Sequence, residues 1–180
     1  MVKVAVVGTG YVGLVAGACF ADIGHQVICV DIDENKINKL KEGIIPIYEP
    51  GLEEIVKKNY AKKRLEFTTD ISKAIAKSDV VFSAVGTPPF PSGEANLEYV
   101  MQVAKQLAKN ADSYKVFVQK STVPIKTGES VAKILKENAK PGVTFDVVSN
   151  PEFLREGSAV EDFMKPDRVV IGADTDKHTT

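Results

Sequence analysis

The sequence carries almost no net charge: 23 Lys and Arg stand against 24 Asp and Glu, for a formal charge of −1. No long-range field draws it to nucleic acid or to an anionic membrane surface. It also lacks a long apolar run. Met1-Val2-Lys3 leads into a stretch broken by Gly8, too short for the core of a signal peptide or for a membrane span. The expectation is a soluble, cytoplasmic chain with neither nucleic acid nor membrane as partner. Cysteine is scarce, with only Cys19 and Cys29. One lies in the small-residue helical pattern Ala16-Gly17-Ala18-Cys19 and one in the β-rich run Val27-Ile28-Cys29-Val30, so both read as buried small hydrophobes rather than nucleophiles. With no CxxC and two isolated histidines, no metal site is expected. His25 reads as a structural turn residue. His178 reads as solvated, in a polar tail, Asp174 to Thr180, that is expected to fray.

What is present is an alternation of strand-like and helical runs over 180 residues, enough for one well-buried domain. Strands are predicted at Val2 to Val7, Gln26 to Asp31, Leu65 to Thr68, Val80 to Val85, Lys115 to Gln119, Phe145 to Ser149 and Arg168 to Gly172. Most are nearly continuous apolar runs, as strands covered on both faces should be. Helical periodicity fits Tyr11 to Ile23, Glu34 to Lys41, Leu52 to Ala61, Ile71 to Lys77, Leu97 to Asn110 and Lys126 to Asn138. The fold class is therefore α/β, a doubly wound parallel sheet with helices on both faces. Two loops, Gly43 to Gly51 and Gly86 to Gly93, are longer and richer in proline and glycine than such a fold requires, which points to function.

Gly8-Thr9-Gly10-Tyr11-Val12-Gly13 follows the first strand and opens the first helix. The first glycine permits the tight turn, the second lets a pyrophosphate approach the backbone, and the third lets the helix pack closely on the sheet. The second strand ends in Asp31, roughly 20 residues beyond the glycines, where a carboxylate accepts hydrogen bonds from a ribose diol. The three features together make a Rossmann-like site, and the charge of Asp31 opposes the extra phosphate of NADP, so the expected cofactor is NAD. Lys36 either softens that discrimination or is a solvated helix lysine; spacing alone does not choose. Thr87-Pro88 after the fourth strand and Ser121-Thr122-Val123-Pro124 after the fifth line the same crevice, with Pro124 suited to the first turn of the next helix. Their hydroxyls either touch the nicotinamide end or cap that helix. Lys120 beside them carries no reading.

Ser149-Asn150-Pro151-Glu152-Phe153-Leu154-Arg155-Glu156-Gly157 sets two carboxylates four residues apart after an apolar run. Asn150 precedes a proline, so it is expected to be extended and to end the strand. Glu152 and Glu156 are expected on one side of a helical turn. Either both are solvated and screened by Arg155, or one acts as acid, base or water-orienting group while the other contacts ligand.

The chain resembles the N-terminal NAD-binding domain of the UDP-glucose 6-dehydrogenase family over essentially its whole length. The marks are Gly8 to Leu14, Ile45 to Leu52, Lys120-Ser121-Thr122-Val123-Pro124, and Asn150 to Val160 continuing through Asp162-Phe163 to Pro166-Asp167-Arg168-Val169-Val170-Ile171-Gly172. GDP-mannose dehydrogenases share the beginning of the last stretch, but its continuation is more similar to the UDP-glucose enzymes. The resemblance implies that the turn Gly8 to Gly13, Asp31, Lys36, Gly86, Thr87, Pro88, Ser121, Thr122 and Glu156 serve the cofactor. It implies that Glu152 is the acid/base residue, that Thr122 lies near the catalytic water, and that Glu152, Phe153, Leu154, Arg155 and Glu156 meet the sugar nucleotide. Pro89 stands where the family usually has a hydroxyl residue, so no cofactor contact is carried to position 89.

The family's reaction oxidises the C6 alcohol of UDP-glucose to a carboxylate, UDP-glucuronate, with two NAD, through an aldehyde and a cysteine thioester. The cysteine, a lysine and an asparagine come from a region after this domain. The expectation is thus a single domain spanning residues 1–180, without the family's central helix and UDP-sugar-binding domain, that binds NAD but is inactive alone. Homo-oligomers are expected only of the full-length protein. The competing readings are a GDP-mannose or UDP-N-acetylmannosamine dehydrogenase, and a stand-alone NAD-binding module without catalysis.

Overall fold

The computed structural model describes residues 1–173. The tail containing His178 lies outside the described residues. Seven strands form one sheet in the order β3-β2-β1-β4-β5-β6-β7: β1 Lys3–Val7, β2 Gln26–Val30, β3 Leu65–Thr68, β4 Val80–Ser83, β5 Lys115–Gln119, β6 Phe145–Ser149 and β7 Gly172–Ala173. The first six pair in parallel. The helices are α1 Tyr11–Asp22, α2 Glu34–Lys41, α3 Leu52–Ala61, α4 Ile71–Lys77, α5 Glu98–Asn110, α6 Thr127–Asn138 and α7 Ala159–Met164. The first six predicted strands and all six predicted helices keep their positions, several trimmed by one or two residues where chain ends run into loops.

The apolar runs divide by residue parity, as the pleat demands. Val4 and Val6 of β1 face a core shared with α1, α2, α3 and Ala159 at the start of α7. Ala5 and Val7 face a second core built with α4, α5 and α6. Each strand of the sheet's centre is thus covered twice, which is why its sequence does not alternate. Phe117 anchors the second core with no exposed surface; its truncation to alanine costs about 3–5 kcal/mol. On the first face, a Cβ at Gly17 would stand 2.4 Å from the sulfur of Cys29, so helix α1 lies against β2 with no room for a side chain. Both thiols are buried, as expected.

The last predicted strand is corrected. Arg168 to Ile171 is not strand, and the two residues of β7 run antiparallel to β6, with Val148 opposite Ala173 and Ser149 opposite Gly172. The physical reason lies in the preceding segment. Helix α7 packs onto α1, and the chain re-enters the sheet beside Ser149, at the carboxyl end where β6 finishes, instead of crossing back to the amino end as a parallel strand requires. Val169 and Ile171 remain 65 % and 62 % exposed, which is why an apolar run there imitated a buried strand. Among the described residues, no helix is long and apolar enough to cross a membrane.

Candidate functional site

The strand order reverses between β1 and β4, and both strands end at the turn after β1. Such a switch point opens a crevice at the carboxyl ends of the strands. Gly8 adopts φ +99°, and a Cβ there would meet the Ala84 carbonyl oxygen at 2.6 Å. A Cβ on Gly13 would stand 1.9 Å from the Gly8 carbonyl oxygen, whereas one on Gly10 would meet nothing within 4 Å. The outer glycines are therefore demanded by the fold itself, and the middle one leaves open space over the N-terminus of α1. That is the shape a pyrophosphate needs. Tyr11 and Val12 form the half-buried first turn of the helix.

Asp31 follows β2 and faces the turn. Its Oδ2 accepts the Thr9 N–H at 2.9 Å, the Thr9 hydroxyl at 2.7 Å and the Lys36 ammonium at 3.0 Å, while Oδ1 accepts the Asp33 N–H at 3.1 Å. Burial alone would raise this carboxyl, but the bonds from Thr9, Asp33 and Lys36 outweigh it and bring it down to about 2. Thr9, only 1 % exposed, is thus turned onto Asp31, and Lys36 is its ion-pair partner rather than a free surface lysine.

Beyond the turn, Gly86 and Pro88 are exposed, and Thr87 donates its hydroxyl to the Thr122 carbonyl at 2.8 Å. Ser121 Oγ bonds the Val85 carbonyl at 2.7 Å, and Thr122 is exposed. Neither hydroxyl caps α6, whose N-cap Lys126 has no side-chain cap bond. Pro124 likewise lies before the helix rather than in its first turn. The loops after β4 and β5 are instead tied to each other along the crevice. Beneath them, Ser83 Oγ and Gln119 Oε1 are buried without a hydrogen-bond partner, among the described residues. Paired in register across β4 and β5, they are orphaned polar atoms where the sheet meets the crevice, and such groups call for a polar ligand or water.

The carboxylate segment departs from the expected geometry. Residues 151–155 are irregular and helix begins only at Ala159, so Glu152 and Glu156 do not share a helical turn. Glu152 Oε2 accepts the Leu154 N–H at 2.7 Å, a local bond that competes with helix, and Gly157 takes φ +90°. Arg155 does not screen the two glutamates. It pairs with Asp162, with Nη2–Oδ1 at 2.6 Å and Nε–Oδ2 at 3.1 Å, an ion pair that brings the Asp162 carboxyl down to about 2. Glu156 is exposed, and Phe153 lies beneath the Arg168 guanidinium at 5.1 Å.

Glu152, Phe153, Leu154 and Arg155 line a cleft of about 710 Å³ together with Lys120 and Asn150. Lys120 had no reading from sequence, yet it is only 5 % exposed. Parity explains it: Val116 and Val118 face the core under α1, so two residues on Lys120 points the same way. There its Nζ meets Asn150 Oδ1 at 3.2 Å and lies 5.9 Å from the Phe163 ring. Burial pushes its pKa down, and the nearby Glu152 charge partly restores it. A lysine directly ending a buried strand was the available signal. Glu49 was also missed, although its loop was singled out; it is 6 % exposed and accepts bonds from Tyr11 and Gly157. Among the described residues, no cluster of His, Cys, Asp and Glu could hold a metal ion.

Residues 2–180 match the model of the UDP-glucose/GDP-mannose dehydrogenase family, NAD binding domain. The chain is 56 % identical over 177 residues to the UDP-glucose 6-dehydrogenase TuaD of Bacillus subtilis, covering 98 % of this chain and 38 % of that protein. A UDP-glucose dehydrogenase from Pyrobaculum islandicum superposes with a TM-score of 0.93 at 45 % identity, over 98 % of this chain and 42 % of that one. A GDP-mannose dehydrogenase from Pseudomonas aeruginosa gives 0.91 at 36 %, over 97 % and 42 %. The chain thus spans about two-fifths of the length of these relatives.

Proposed function

The chain belongs to the UDP-glucose/GDP-mannose dehydrogenase family, and on that premise we propose that it holds NAD for an enzyme that oxidises the C6 alcohol of UDP-glucose to the carboxylate. The observation that carries this reading is the fit of the turn to a dinucleotide: open space over Gly10, a helix N-terminus beneath it, and a charged Asp31 at the end of the next strand. The bound cofactor would accept hydride from the alcohol carbon. Asp31 accepts the ribose hydroxyls and repels a phosphate at that position, and its ion pair with Lys36 keeps the carboxylate charged and aimed. Gly86, Thr87, Pro88, Ser121 and Thr122 wall the nicotinamide end.

Glu152 serves as acid and base at the cleft, with one oxygen oriented by the Leu154 N–H. Phe153, Leu154 and Arg155 receive the sugar nucleotide, and Glu156 stands between the two ligands. Lys120 adds a buried positive charge to the same cleft. Water must be kept out until needed, and the exposed Phe153 and Arg155 leave the cleft open on one side. The domain therefore works as part of a longer enzyme, whose remaining domain closes the site, contributes the nucleophilic cysteine and forms the homo-oligomer. Neither thiol of this chain suits that step, since burial pushes both Cys19 and Cys29 up to about 12 and a thiolate is the attacking form.

Titration calorimetry of the 180-residue chain is expected to show NAD binding with NADP at least about ten times weaker, and no turnover with UDP-glucose. Equal affinity for both cofactors would refute the role of Asp31. For the full-length enzyme, comparing NADH formation with UDP-glucose, GDP-mannose and UDP-N-acetylmannosamine decides the substrate. The identity to UDP-glucose enzymes favours the first.

A further inference from the structure

In the loop between α2 and α3, Glu49 is the one buried residue from Gly43 to Gly51. A carboxylate there has to be held by donors, because an unpaired buried charge is strongly disfavoured. The donors come from two distant parts of the chain, Tyr11 at the start of α1 and the backbone of residues 157–160. Glu49 Oε2 accepts the Tyr11 hydroxyl and, at 2.8 Å, the Gly157 N–H. Its Oε1 faces the Val160 N–H at 3.5 Å, and the Gly157 N–H also approaches the Tyr11 hydroxyl oxygen at 3.2 Å. Burial would raise the Glu49 carboxyl, yet the bonds from Tyr11, Gly157, Val160 and Ala159 hold it below the ordinary range. Burial and the bond to Glu49 push the Tyr11 phenol up to about 12. The link is a charged carboxylate and a neutral phenol.

Its position gives it a consequence. Tyr11 is the first residue of α1, directly after Gly10 and its open space. Gly157 directly follows Glu156, and the Arg155 carbonyl lies 3.3 Å from the Tyr11 hydroxyl. One buried side chain therefore connects the turn that would hold the cofactor with the segment that carries both candidate carboxylates.

We propose that Glu49, acting through the Tyr11 hydroxyl and the Gly157 amide, is a positioning residue that couples occupancy of the nucleotide turn to the order of residues 152–157. The inference rests on the NAD-binding reading above. Glu49 touches no reacting atom; its effect passes through Tyr11 and the backbone of the carboxylate segment. Coupling of this kind is reciprocal, so a change at either end alters the other by the same factor.

The test uses the 180-residue chain as wild type, Glu49→Gln and Tyr11→Phe, with NAD affinity from calorimetry and amide hydrogen exchange over residues 153–160 measured with and without NAD. In the wild type, saturating NAD is expected to slow exchange of the Gly157 and Val160 amides by at least about 5-fold. In both variants that NAD-dependent slowing is expected to disappear, with NAD affinity reduced by the matching factor. Variants that melt at lower temperature but keep the full NAD-dependent slowing would make Glu49 a structural staple and overturn the proposal. Tyr11→Phe keeps the ring and leaves Glu49 its backbone donors, so it carries the test if Glu49→Gln does not fold. A wild-type chain that binds no NAD removes the premise itself, a result distinct from NAD binding without any change at residues 153–160.

Discussion

The two halves of the crevice are built differently. Around the nucleotide turn, the polar side chains are already engaged: Asp31 holds Thr9, Asp33 and Lys36, and Gly8 and Gly13 are fixed by backbone contacts closer than any side chain allows. Along the carboxylate segment the backbone is irregular, Phe153 is 53 % exposed, and Glu152 and Glu156 lie in or beside an open cleft. The first half is preorganised, so its groups lose little freedom when a ligand arrives. Among the described residues, the second has no such network fixing its carboxylates: Glu156 is exposed and Glu152 is held by the Leu154 amide. On the function proposed above, a site divided this way would separate holding the cofactor from committing to chemistry.

Substitutions at the two ends should separate accordingly. The largest effect is expected from Gly13→Val, which forces side-chain atoms into the Gly8 carbonyl: NAD binding should be lost in calorimetry, with destabilisation of about 3 kcal/mol or more in urea unfolding. Retained binding would show that the turn is less rigid than its contacts indicate. Next, Glu152→Gln should leave NAD affinity of the domain within about 2-fold while lowering turnover of the full-length enzyme by about 10²–10⁴. A parallel fall in NAD affinity would erase the contrast between the halves.

Asp31→Ala should weaken NAD binding by about 10- to 100-fold, the worth of a charged hydrogen-bonding pair to the ribose, and should narrow the preference over NADP. The pH dependence follows from the same group. Its folded value of about 2 lies below the ordinary 3.8, so its contribution to stability is full above about pH 4 and is lost as pH falls towards 2. Acid unfolding of Asp31→Asn followed by circular dichroism should therefore lack part of the wild-type transition in that window. The smallest effect is expected from Arg155→Ala, which removes a surface ion pair to Asp162: the melting temperature should shift by less than about 2 °C.

The difference between the halves also explains what could be read in advance. The turn was legible because its information is local: three glycines, a strand before them, a helix after them and an acid at the next strand's end all lie within one stretch of chain. Cys19, Cys29 and the end of β6 before Pro151 were legible for the same reason. Glu49 and Gly157 meet across 108 residues, and Lys120 and Asn150 across 30, so no spacing rule brings them together. The expected strand from Arg168 and the expected helical turn at Glu152 failed in this second region. There, the return of α7 onto α1 and the bond from Leu154 to the Glu152 carboxylate outweighed local preference.

By itself, the sequence determined the α/β alternation, the parallel sheet, the nucleotide turn and its acid, because periodicity and glycine placement act through neighbouring residues and the pleat. Only the tertiary structure decided that Lys120 is buried beside Asn150, that Arg155 answers Asp162, that β7 runs antiparallel, and that Glu49 joins the turn to the carboxylate segment. The Lys120 and Glu49 contacts depend on desolvating a charged group against partners brought near by packing on one face of the sheet, whereas the ion pair and β7 follow from the path of the chain after β6. Such partners exist only once the chain has folded.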